Sequence, residues 1–138
     1  MSRILVAVSS PWASERMVEP LGDMAKRLGA EVLVVHVSRP SGGQMREQEQ
    51  ADGEAAISFL RERLQDRGLV VQDLLMFSDD IARAILNTAL EREATLIVLG
   101  LTGKNVFARP LAGNVPVELI KNTKIPVLIL PPDWSRQI

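Results

Sequence analysis

Five short, nearly unbroken apolar runs, separated by longer stretches in which apolar residues recur every three or four positions, constrain this chain more than any other feature. The runs cover residues 4–8 (ILVAV), 32–37 (VLVVHV), 70–77 (VVQDLLMF), 96–99 (LIVL) and 125–130 (IPVLIL). An apolar run without polar alternation is the pattern of a strand covered on both faces, as in a parallel sheet. Between the runs, Met17, Leu21, Ala25 and Leu28 share one helical stripe, Ile57, Leu60 and Leu64 a second, and Ile81, Ala84, Ile85, Thr88 and Ala89 a third, while Val117, Leu119 and Ile120 follow a fourth helix start. Parallel neighbours need a crossover, and a helical crossover is right-handed. The alternation therefore predicts a doubly wound α/β sheet with helices on both faces. Gln72 and Asp73 interrupt the third run, which predicts an edge position for that strand.

Local signals mark the element ends. Ser9-Ser10-Pro11 precedes the first helix and Gly29 follows it, Gly68 closes the second, Ser78-Asp79-Asp80 supplies a cap for the third, and Asn114 with Pro116 opens the fourth. Residues 38–53 are polar and Gly-bearing, predicting a mobile connection whose second half begins a helix. In the tail PPDWSRQI, two prolines stop the last ladder.

A chain of 138 residues fits one domain, expected over residues 1–138. Its net charge of −1 supplies no field to draw in nucleic acid or an anionic membrane, so any phosphate binding must be local. No run approaches the roughly 18 residues of a membrane-spanning helix, and the apolar part of MSRILVAVSS is too short for a secretory signal. Without cysteine there is no disulfide or thiol chemistry, and a cytoplasmic protein is expected. His36 is the only histidine, which removes paired-histidine metal sites and predicts a packed, hydrogen-bonded ring. Asp79 and Asp80 read as a helix cap and its neighbour, not a metal pair. With no activated nucleophile, paired carboxylates or metal constellation, an enzyme is not expected beyond slow, incidental ATP hydrolysis.

The stretch with the most chemistry follows the fourth run. Residues 100–113 have no periodicity, carry Gly100, Gly103 and Gly113, and lie between a strand and a helix start. Segments this long inside a compact domain are usually functional when ordered. Glycines admit close backbone approach, and the first N–H groups of the next helix have no partner within it, so the combination makes an anion cradle. Thr102 adds a hydroxyl, and Lys104 and Arg109 add cations. Turn glycines in a surface connection would give the same pattern. The sequence Gly100-Leu-Thr-Gly-Lys-Asn105 is not a Walker A loop, which needs a longer spacing before Gly-Lys and then Ser or Thr.

The spacing Gly100-x2-Gly103-x9-Gly113, followed by a helix and IPVLIL, with ILVAVSS at the start, VLVVHV in the second strand and AILNTALEREATLIVLG before the loop, resembles the universal stress protein family. The resemblance implies a Rossmann-like five-stranded sheet of order 3-2-1-4-5, with strand one beside strand four and Ser9 facing Gly100 across the crevice at their carboxyl ends. It implies ATP or AMP as ligand, with no visible site requiring magnesium. The nucleotide-binding positions it implies are Ala7 and Val37 near adenine, Ser9 near ribose, and Gly100, Thr102, Gly103, Gly113, Asn114 and Val115 around phosphate. It further implies a homodimer through the strand that begins at Ile125 and ends at Leu130, in a stress-response or regulatory role. The chain departs from the family pattern at Asn114, where Ser or Thr is usual, and at Ser9, where nucleotide binders carry aspartate; Pro116 has no N–H to give. These departures feed the alternative of a nucleotide-free dimeric signalling or interaction module, whose partner protein the sequence does not name.

Overall fold

The computed structural model describes residues 1–40, 43–100 and 114–138. In chain order the elements are β1 (Arg3–Ala7), α1 (Pro11–Leu28), β2 (Glu31–Ser38), α2 (Gly43–Asp66), β3 (Val71–Phe77), α3 (Ile81–Glu91), β4 (Leu96–Gly100), α4 (Val115–Asn122) and β5 (Val127–Leu130). The strands form one parallel five-stranded sheet in the order β3-β2-β1-β4-β5, so the expected α/β fold, strand order and edge position of β3 are all present.

Two cores lie on opposite faces of the sheet. On one, Ile4, Val6, Val32, Val34 and Val98 pack against Met17, Leu21 and Ala25 of α1 and Ile57, Leu60 and Leu64 of α2. On the other, Leu5, Leu33, Val35, Ile97 and Leu99 pack against Ala82, Ile85 and Ala89 of α3 and Leu119 of α4. Alternate side chains of one strand therefore serve different cores, which is why the runs contain almost no polar residue.

The ends follow the expected caps. Ser10 Oγ accepts the Ala13 N–H at 3.2 Å to open α1, and Asp80 Oδ1 accepts the Arg83 N–H at 3.1 Å to open α3. Gly29, at φ 62°, turns the chain out of α1 in the left-handed conformation that glycine adopts without steric cost. Leu28, expected on the apolar stripe of α1, is instead 49% exposed. It is the last residue of α1, next to the Gly29 cap.

Helix α2 differs more from expectation. It begins at Gly43, where the sequence predicted a mobile connection, and runs through Gly53 without a break. Its polar first half is helical despite lacking an apolar stripe, because its later turns lie across α1 and β2. Ser14 Oγ donates to the Ala56 carbonyl at 2.9 Å, tying α1 to α2 at a fully buried point. Farther along, Arg67 pairs with Glu19, and that hydrogen bond holds the Glu19 carboxyl below the usual carboxylate range.

Strand β5 starts at Val127, not Ile125. The Thr123 hydroxyl accepts the Ile125 N–H at 2.9 Å and donates to the Ile125 carbonyl at 2.6 Å, so Ile125 belongs to the turn before the strand. The tail returns over the α1 face: Arg16 Nε donates to the Pro132 carbonyl, and Trp134 packs against the core that contains Leu128 and Leu130. Among the described residues no helix is long and apolar enough to cross a membrane.

Candidate nucleotide site at the carboxyl edge

The winding reverses at β1. From β1 the chain moves through α1 and α2 to β2 and β3 on one side, then crosses to β4 and β5 through α3 and α4 on the other. The strands flanking β1 therefore send their following segments to opposite faces, opening a crevice outside the carboxyl ends of β1 and β4. Ala7 is opposite Leu99 of β4 and Val35 of β2, so Ser9, Gly100 and Val37 all fall at this one edge.

The positions named from the sequence divide into three groups. Ala7, Val37 and Val115 belong to a single apolar cluster on the α3/α4 face, with Val37 buried and the other two partly so. Ser9 is exposed just beyond β1, and Gly100 ends β4 half-buried. Thr102, Gly103 and Gly113, with Lys104 and Arg109, lie outside the described residues.

Asn114 is 2% exposed and caps α4, its Oδ1 accepting the Val117 N–H at 3.2 Å. Its backbone carbonyl accepts the Glu118 N–H at 3.0 Å, and Pro116 has none to offer. Of the N–H groups in this first turn, that of Val115 is the one the cap leaves to an incoming acceptor. The helix end thus keeps the positive end of its dipole while spending one donor on its own cap.

The opposite face of the same edge holds a polar arrangement that the sequence only hinted at. His36 is 4% exposed and hydrogen-bonded through both ring nitrogens, Nδ1 to the Val8 carbonyl at 2.7 Å and Nε2 to Ser38 Oγ at 3.0 Å. A carbonyl can only accept, so Nδ1 carries a proton and donates to Val8, while Nε2 is paired with the Ser38 hydroxyl. The packed, hydrogen-bonded histidine expected from the sequence is what the structure contains. Gly53 of α2 lies against the ring so closely that a Cβ there would come within 2.6 Å of Cγ and nearer still to Cδ2 and Nε2. Nothing in the sequence near residue 53 singles this glycine out, because its partner is on another element. Among the described residues no group of three or more His, Cys, Asp or Glu side chains comes together to hold a metal.

The profile of the universal stress protein family matches residues 1–131. The chain belongs to that family. A universal stress protein of Methanocaldococcus jannaschii is 29% identical over 118 residues, covering 78% of this chain and 69% of the relative. The sensor protein KdpD of Mycobacterium tuberculosis is 30% identical over 112 residues; the match takes 78% of this chain but 12% of that much longer protein. Among solved structures, the universal stress protein UspA of Lactobacillus plantarum superimposes with a TM-score of 0.75 at 21% identity, over 94% of this chain and 97% of that one. The Archaeoglobus fulgidus universal stress protein, solved in complex with dAMP, gives 0.69 at 22% identity, over 94% and 97%. An Arabidopsis thaliana family protein with AMP bound gives 0.64 at 16% identity, over 96% and 93%. At these identities the structures establish that this universal stress protein shares their fold.

Proposed function

We propose that this universal stress protein binds an adenine nucleotide, AMP or ATP, at the carboxyl edge between β1 and β4, and acts as a regulatory dimer and not as an enzyme. The observation that carries the reading is the convergence, at the point where the winding reverses, of the ends of β1 and β4 with a capped helix entered from a Gly-bearing segment. Family proteins of the same fold solved with dAMP and with AMP support it. In this reading Ala7 and Val37 lie near adenine, Ser9 near ribose, and Gly100, Thr102, Gly103, Gly113, Asn114 and Val115 around phosphate.

The donor inventory favours the smaller nucleotide. Pro116 contributes no N–H, and the Val117 N–H is already taken by Asn114. Each missing hydrogen bond to a charged group costs about 1.5–3 kcal/mol, or roughly a factor of ten or more in affinity. A triphosphate, with more charge to satisfy, loses more from the shortage than a monophosphate does. Calorimetric titration with AMP, ATP and cyclic AMP tests this. Micromolar AMP binding, abolished by Gly113→Trp, is the expected result; no binding by any of the three ends the proposal. That second outcome would favour a nucleotide-free interaction module, which Ser9 and the self-capping Asn114 also suit.

The dimer follows from the sheet edge. Strand β5 is outermost and partly exposed along Val127, Leu128 and Ile129, an apolar edge that invites pairing with its own twin. Elution as a dimer in gel filtration at micromolar concentration is expected, and substitution of Ile129 by Lys is expected to shift it to monomer. Elution of the unaltered protein as a monomer would remove the β5 pairing. A single domain over residues 1–138 and a cytoplasmic setting, in keeping with the lack of cysteine, complete the proposal.

A further inference from the structure

We infer that His36 is a positioning residue for the nucleotide site, acting through the peptide between Val8 and Ser9. The inference rests on the nucleotide reading above and assigns that reading a residue on the opposite face of the sheet.

The backbone register between β1 and β2 ends at Ala7 opposite Val35. One residue farther, Val8 still donates its N–H to the Val35 carbonyl at 2.9 Å, and its own carbonyl accepts from the His36 ring at 2.7 Å. The imidazole thus prolongs the hold of β2 on β1 after the regular register stops. A trans peptide is planar, with its C=O and N–H pointing in opposite directions, and there are no cis peptides among the described residues. Holding the Val8 carbonyl toward the ring therefore aims the Ser9 N–H away from it and fixes the direction in which Ser9 leaves the strand.

The ring itself has little freedom. Ser38 is fully buried and its hydroxyl pairs with Nε2 at 3.0 Å, so the ring is held at both nitrogens. Ser38 is in turn held by the residue that follows β3, its carbonyl accepting the Ser78 N–H at 2.9 Å. Gly53 brings the α2 backbone against the ring where any side chain would displace it. Together these contacts hold the ring whose Nδ1 engages the Val8 carbonyl, and through that peptide they bear on the start of Ser9 at the crevice.

Isosteric substitutions separate the donor from the volume. In His36→Asn the amide nitrogen stands near the place of Nδ1 and can still donate to Val8; in His36→Gln it stands near Nε2 and cannot; His36→Leu fills the space with no donor. With the full chain, AMP affinity is read by calorimetry and the exchange rate of the Ser9 amide by NMR. His36→Leu is expected to weaken AMP binding by about tenfold or more and to speed Ser9 exchange, since a buried carbonyl left unpaired rotates toward other partners. His36→Gln should follow His36→Leu, and stands in for it if the leucine variant fails to fold. His36→Asn should keep both readouts within roughly threefold of wild type, because the hydrogen bond that sets the peptide is retained. Unchanged AMP affinity in folded His36→Leu or His36→Gln, or an equal loss in His36→Asn, would overturn the role while leaving the nucleotide in place. Absence of AMP binding by the wild-type protein would instead remove the nucleotide reading and, with it, the purpose assigned to His36.

Discussion

Truncating Leu119 to alanine is expected to destabilise the protein by about 2–5 kcal/mol, the range for a large aliphatic side chain removed from a close-packed core. Leu119 is fully buried and is the one side chain of α4 that is. The helix has eight residues, too short to hold its shape without tertiary packing. Losing its anchor should therefore loosen α4 before it unfolds the sheet, and with α4 goes the N-terminus capped by Asn114. Urea denaturation gives the stability change, and AMP titration at low urea gives the site. A fall in AMP affinity larger than the unfolded fraction explains would show that α4 docking, not global stability, supports the site. A stability loss below about 1 kcal/mol would mean the helix is held mainly by other contacts.

Replacing Gly53 by alanine should also destabilise the protein, against the usual direction for a glycine inside a helix. In an exposed helix interior the change gains about 1 kcal/mol from backbone entropy and propensity. Here the new methyl group would meet the His36 ring at distances no real Cβ tolerates. The ring cannot swing aside cheaply, being held at both nitrogens by Val8 and Ser38. Overpacking of this kind costs about 1–3 kcal/mol, and the lost hydrogen bonds add to it. The net expectation is a melting temperature lowered by several degrees, at roughly 4 °C per kcal/mol for a chain of this size. An increase in melting temperature would show that α2 shifts freely and that the His36 arrangement is loosely held. Paired with His36→Ala, the substitution should lose much of its cost, since the two side chains then no longer compete for one space.

Most of the architecture was legible in the sequence because its signals are local. The doubly covered strands announce themselves as runs such as ILVAV and VLVVHV, and the edge strand β3 by Gln72 and Asp73. Caps at Ser10, Asp80 and Asn114 involve residues three positions apart, so the residue types alone indicate them. The candidate site was legible only in outline. Ala7, Ser9, Val37 and Gly100 are placed at one edge by register, which follows once the strand order is known. Both roles of Asn114, as cap and as candidate phosphate neighbour, were legible in the sequence; the structure adds that its Oδ1 is taken up by the Val117 N–H.

Taken alone, the sequence determined the alternation of strands and helices, the places where α1, α3 and α4 begin, and the two-sided burial of the sheet. Each of these depends on periodicity or on partners within one turn of the chain. What the tertiary structure decided was the early start of α2, the exposure of Leu28, the return of Trp134 onto the α1 face, and the meeting of Gly53 with His36. The glycine and the histidine are on different elements, and a sequence pattern carries no record of which residue will stand opposite another once the layers close. Close packing sets those partnerships, and only the assembled layers show that one glycine leaves room for one ring.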